Sequence, residues 1–282
     1  MNKLRYTMRD FTAYFFSSRL LLFVLLQLVI MHFYIKNILS FSEAVNYPVS
    51  IWIFPFLFQN VYVQFIYGIS VVYFFSTVPF FQYSQLYTVI RQGRKRWLIG
   101  KSLRILLSSF FLVFIDFLIS VIILLPKIEI TNDWGKVLYS LAMTNAIAEY
   151  NVKIPIPYTL INGYTVGEAI TKTLLVLFLV TMLIGFIMFA FSMIWSKLVA
   201  VILGTAVSVL TIVVANMYHQ VNEITFFSPL SWSNLLIIDG TLSSVHPDFR
   251  EIVCISVLIC IACIFILYRK TKLIDFEWSK EE

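Results

Sequence analysis

The stretch VIRQGRKRWLIGK, residues 89–101, joins two long apolar runs, and its reading decides how the chain is laid out. It carries Arg91, Arg94, Lys95, Arg96 and Lys101, with Arg104 just beyond, where the flanking runs hold few charges. One glycine, Gly93, interrupts the cations and one tryptophan, Trp97, follows them. The run on either side is long enough to cross a bilayer, whose hydrocarbon core takes about 20 residues. The stretch therefore reads as a charged link between two membrane spans.

Composition extends that reading to the whole chain. Of the 282 residues, 60% are hydrophobic and only 13% charged, with a mean hydropathy of +0.88. A soluble domain of this length is far more polar and could not hide so much apolar surface. The expected class is an all-α polytopic membrane protein. Six apolar runs mark the spans, at about 20–35, 61–81, 103–125, 173–195, 198–217 and 252–268. Only Ser196 and Lys197 separate the fourth from the fifth, which predicts a tight antiparallel hairpin.

Cation placement sets the orientation. With both termini cytoplasmic, 15 of the 21 Lys and Arg residues fall inside, and the flipped arrangement inverts that ratio. The net charge of +6 is thus largely accounted for by topology, and no aromatic-basic module for nucleic acid is visible. The chain reads as one transmembrane domain, 1–282, with short cytoplasmic links and two longer external loops, 126–172 and 218–251. The first loop holds a possible helix at 133–150 and then an extended stretch around Pro155 and Pro157. The basic N-terminus and first apolar run resemble a signal peptide in outline. No small-x-small cleavage site follows, so that run is expected to remain as the first span.

Before it, Leu4, Met8, Phe11 and Phe15 recur at helical spacing while Arg5, Arg9 and Thr12 line another face. Residues 1–19 are therefore expected to form an interfacial helix against anionic headgroups, or a plain anchor. Past the second span, Tyr83, Leu86, Tyr87 and Ile90 share one helical face, and Gly93 permits a bend. Trp97 suits the headgroup level. Positive-inside placement explains the cations of this loop; a grooved cytoplasmic partner explains them together with the apolar face.

Inside the spans, Asp116 is the acid clearly buried. An intramembrane carboxylate is a functional candidate, or else a group held in the bundle by Gln27, His32 or Asn216. The rings of the second span, including Tyr67, Tyr73 and Phe74, line a conduit for amphipathic cargo or face lipid. Cys254, Cys260 and Cys263 scatter around one helix, a pattern of packing residues and not of a metal site or disulfide. No Walker A loop, HExxH or GxSxG occurs, and the three histidines are isolated. Neither catalysis nor a cofactor within this chain is expected.

Three stretches carry a resemblance. RQGRKRWLIGK is similar to the G-x-[RK]-x-W-x-x-[GK] pattern of certain cytoplasmic loops, FSMIWSKLVAVILG to a link between spans four and five, and FFSPLSWSNLLI to an external re-entrant segment. Together with six spans and an amphipathic start, the chain resembles a permease subunit of the type-2 ABC exporters. The long external segment between spans three and four departs from that pattern. The resemblance implies a coupling helix that docks on a separate ATP-binding-cassette subunit, which holds ATP and Mg. The docking surface it implies is Tyr87, Ile90, Arg91, Gly93, Arg94, Arg96 and Trp97, with Ser196 and Lys197 as a second contact. It also implies a second permease, identical or related, and a hydrophobic or amphipathic cargo such as an antimicrobial peptide, toxin, drug or lipid-linked molecule. The Lys-, Ile- and Phe-rich composition fits the cell membrane of a low-GC Gram-positive bacterium. An ion-coupled secondary transporter using Asp116, or a membrane scaffold or sensor, are the alternatives. Missing inverted repeats weigh against the former, and the lack of a signalling domain against the latter.

Overall fold

The computed structural model describes residues 17–76, 93–217, 222–238 and 247–273. The expected interfacial helix, and the docking candidates Tyr87, Ile90 and Arg91, lie outside these residues. The first helix, α1 (Ser18–Val45), begins on the Ser17 hydroxyl, which accepts from the Leu20 N–H at 3.4 Å. It continues past the apolar run through residues 36–45. Its stop is conformational: Asn46 turns left-handed at φ 56, and its N–H reaches the Ser42 and Glu43 carbonyls.

After β1 (Val49–Ser50) comes a broken element. A 3-10 turn, Ile51–Ile53, and α2 (Phe54–Leu57) meet α3 (Val61–Phe75) at 90°. Pro55 sits in the first turn of α2, and the Asn60 side chain caps α3 by accepting from the Tyr62 N–H at 2.9 Å.

The longest helix is α4 (Arg94–Leu124), 31 residues and so about 46 Å long. Its apolar run was expected to open near Leu103, but the helix already includes Arg94, Lys95 and Arg96. It leads through a 3-10 turn to β2 (Ile128–Glu129), which pairs in parallel with β1, Val49 opposite Ile128. Next come α5 (Gly135–Met143), α6 (Ala146–Glu149) and α7 (Tyr158–Gly163). The helix expected over 133–150 is broken at Thr144, whose hydroxyl accepts from the Ala146 N–H.

A capping box between Thr165 and Glu168 starts α8 (Val166–Ile194). Trp195 and Ser196 turn the chain into α9 (Lys197–Met217). Two 3-10 turns, Asn222–Phe227 and Pro229–Ser233, and α10 (Leu235–Ile238) precede α11 (Phe249–Leu273).

Five of these helices, α1, α4, α8, α9 and α11, are long and apolar enough to cross a membrane, and the bent pair ending in α3 is a sixth candidate. The fold is that of an all-α, multi-pass membrane protein. α8 is the central post: 72% of its apolar window is buried within the protein, against 28% for α1, α9 and α11. It packs on α3, α4, α9 and α11. The 229–238 segment folds into the bundle, with Leu230, Trp232 and Leu235 buried and the Trp232 indole donating to Thr225 O at 2.9 Å. Gly68 makes this possible. A Cβ there would lie 2.4 Å from Leu230 Cδ1 and 2.6 Å from Ser208 Oγ.

The short elements form a cap at one end. Trp52 donates to Thr131 O, Asn37 to Asn151 O, Asn60 to Lys153 O and Trp134 to Tyr164 O, so side chains from α1, the broken segment and the 128–165 region tie one another down.

Candidate functional site

The end opposite the cap gathers cations. The start of α1, the end of α3, the first turn of α4, the α8–α9 turn and the end of α11 meet there. Arg19 donates to Tyr73 O at 3.2 Å and to the Ser76 hydroxyl, with its guanidinium 5.3 Å from the Tyr73 ring centroid. Arg94 donates to Thr271 O at 3.4 Å, and the Lys95 ammonium lies 5.9 Å from the Tyr268 ring. Lys197, Arg269 and Lys270 complete this end. Among the described residues it contains no Asp or Glu, whereas the cap end mixes cations with Glu43, Glu129, Asp133, Glu149 and Glu168.

Gly93 stands at φ 83, a conformation that glycine adopts without strain and L side chains rarely reach. Arg94, Lys95 and Arg96 are exposed in the first turn of α4. Cations are disfavoured at a helix N-terminus, by roughly 0.3–1 kcal/mol each, because the unpaired N–H groups there are already electropositive.

Trp97 is buried within the protein, 4% exposed, with its ring edge-on to Phe189 at 5.9 Å. The cause is register. Trp97, Lys101, Arg104, Ser108, Leu112 and Asp116 recur every three or four residues on the inward stripe of α4. The Trp97–Phe189 contact fixes the first turn of α4 against the last turns of α8. It thereby brings Gly93–Arg96 and the exposed Ser196 and Lys197 to the same end of the bundle. Of the docking candidates, the structure describes Gly93, Arg94, Arg96, Trp97, Ser196 and Lys197. All but Trp97 are exposed.

Asp116 lies farther along the same helix, fully buried, and neither carboxyl oxygen has a hydrogen-bond partner among the described residues. Next to it, Phe117 packs edge-on to Phe54 at 5.5 Å. The three partners expected from sequence are engaged elsewhere or turned away. Gln27 donates to Ser70 at 3.1 Å, Asn216 donates to Ile212 O of its own helix, and His32 is exposed. The Tyr67 hydroxyl pairs with Thr181 at 2.7 Å. Gln27 Oε1 and Gln59 Oε1 are also buried without partners.

The ring candidates separate. Tyr67 is fully buried against Phe23 and Phe58, Phe74 is 4% exposed, and Tyr73 is 39% exposed beside Arg19. No common lining is formed by the three. Cys260 and Cys263 are buried and Cys254 exposed, all free thiols. Among the described residues, no three His, Cys, Asp or Glu side chains converge as a metal site would require.

Comparison with protein-family models, curated proteins and solved structures finds no match.

Proposed function

We propose that the chain is the membrane-spanning permease subunit of an ATP-driven exporter of the type-2 ABC class, with six spans and both termini cytoplasmic. In this reading residues 1–19 form an interfacial helix. A second permease, identical or related, completes the path. Separate ATP-binding-cassette subunits bind ATP and Mg and dock at the basic end through Gly93, Arg94, Arg96, Ser196 and Lys197. Tyr87, Ile90 and Arg91 extend that surface, and Trp97 anchors it from inside. The cargo is hydrophobic or amphipathic, such as an antimicrobial peptide, toxin, drug or lipid-linked molecule, moved across the cell membrane of a Gram-positive bacterium.

The observation that carries this reading is mechanical. An exposed, cationic helix start belongs to an unbroken helix about 46 Å long that runs to the cap. It is clamped at its base by Trp97 on Phe189 and by Arg94 on Thr271. A push on such a turn displaces the helix as a body, whereas a flexible loop would absorb it.

The test is the double substitution Arg94→Glu, Arg96→Glu. Membrane insertion is expected to persist, while association with the ATPase subunit and export are lost. Unchanged association and export would refute the docking assignment.

One observation favours a second reading, an ion-coupled transporter. Asp116 is a buried intramembrane carboxyl with both oxygens unpartnered, a group costly to keep without a use. Purified chain that moves cargo under an ion gradient without any ATPase, and stops on Asp116→Asn, would favour it over the first.

A further inference from the structure

Two lysines from distant parts of the chain meet on one ring at the cap end of α1. The Lys153 ammonium lies 3.7 Å from the centroid of the Phe33 ring, and the Lys36 ammonium lies 5.3 Å from the same centroid. Both lysines are exposed, and so is His32, one turn before Lys36 on the same helix. Among the described residues, no carboxylate pairs with either ammonium.

The backbone that carries Lys153 is fastened from both sides. Asn37 of α1 donates to Asn151 O at 2.6 Å, and Asn60, the cap of α3, donates to Lys153 O at 3.3 Å. Val152 and Ile154 are buried on either side of Lys153, which leaves its side chain outward. An ammonium is attracted to the face of a ring and has three N–H donors. Each lysine can therefore rest on Phe33 and still donate away from it.

Position along α1 chooses the occupant. Arg19 and Lys36 stand about 26 Å apart along the helix axis, so they bracket a hydrocarbon core of about 30 Å. The lysine pair is thus at headgroup level, in the leaflet at the cap end. Below it, Leu22, Leu25, Val29 and Phe33 are exposed and recur every three or four residues, an apolar stripe that ends at Lys36. From Lys36 to Leu25 is roughly 16 Å, about the depth of one leaflet. The chemistry that matches both parts is an anionic head joined to alkyl chains that run along the helix. A phosphodiester supplies acceptor oxygens and one negative charge to the two ammoniums. A zwitterionic head adds a cation of its own, which the lysines and each other's charge disfavour.

We propose that His32, Lys36 and Lys153 form a binding site for an anionic phospholipid in the leaflet at the cap end, with its phosphate at the two ammoniums and its acyl chains along Leu25, Val29 and Phe33. The site stands whether or not the chain is a permease. It lies at the opposite end of α1 from Arg19 and the basic end.

The test is photolabelling of the purified full chain in phosphatidylcholine nanodiscs that contain a trace of phosphatidylglycerol with a diazirine in its acyl chain, mapped by peptide mass spectrometry. Adducts are expected on residues 22–33, and unlabelled phosphatidylglycerol should compete them away where added phosphatidylcholine does not. Lys36→Gln and Lys153→Gln should each raise the phosphatidylglycerol needed for half-competition about fivefold, the effect of one basic residue at an anionic surface. Lys36→Arg should stay near wild type. Lys136→Gln is the control: it removes an exposed cation at the same end that rests on a different ring, Tyr47 at 4.8 Å, and should change nothing. Equal competition by the two lipids in the wild-type chain, or an equal effect of Lys136→Gln, would overturn the site, and the wild-type comparison decides even if a variant does not fold. Displacement of the labelled lipid by soluble glycerol phosphate would overturn the lipid as occupant, leaving a site for the free anion.

Discussion

Replacing Asp116 by Leu is expected to leave the protein as stable as before or to stabilise it. Leu keeps the fork at Cγ and exchanges the two carboxyl oxygens for methyl groups. Both oxygens are buried without hydrogen-bond partners, and a buried polar group left unsatisfied costs about 1–3 kcal/mol. Removing that cost is offset by crowding from the bulkier methyl groups, about 1 kcal/mol at the low end of the overpacking range. The net change is then between about 0 and +2 kcal/mol. At roughly 2–4 °C per kcal/mol, the melting temperature should rise by no more than about 8 °C. Fluorescence-detected thermal unfolding in mild detergent measures this, with Asp116→Asn as the isosteric control. A loss of about 3–5 kcal/mol would refute the reasoning, because that is the penalty for removing one member of a paired buried charge. Transport in the same variant separates the two functional readings. The ATP-driven exporter survives the change, whereas an ion-coupled carrier that uses the carboxyl does not.

Gly68→Ala should destabilise by about 1–3 kcal/mol, since the added methyl meets Leu230 at 2.4 Å; thermal unfolding measures the loss, and wild-type stability would show that the 229–238 segment is not seated against α3. Trp97→Ala should cost about 3–5 kcal/mol of stability, as expected for truncating a buried ring. Trp97→Phe should recover most of that stability, and a Trp97→Ala protein as stable as wild type would mean that the base of α4 is not clamped.

The apolar runs made the membrane class and most helices legible, because about 20 apolar residues in succession have few other uses. Helix ends were less legible, for reasons that differ by site. α1 continues through Lys36 and Glu43 because backbone geometry at Asn46 stops it, and hydropathy does not register a left-handed residue. α4 starts at Arg94 because its cations lie within the helix; the inward stripe of Trp97, Lys101, Arg104 and Asp116 was present in the spacing, but a span defined by hydropathy begins after the charges. The 90° bend before α3 rests on Pro55 and the Asn60 cap, a local signal inside an otherwise continuous aromatic run. Asp116 as a buried carboxyl was readable.

The central claim is that the exposed basic turn at the start of α4 grips an energy-supplying protein. Its most direct measurement is cross-linking in living cells from a photoreactive amino acid placed at Arg96, and separately at Ser196, followed by mass spectrometry of the adducts. The account predicts that both positions capture one and the same ATP-binding-cassette protein. Adducts to lipid alone, or to unrelated proteins at the two positions, would contradict it.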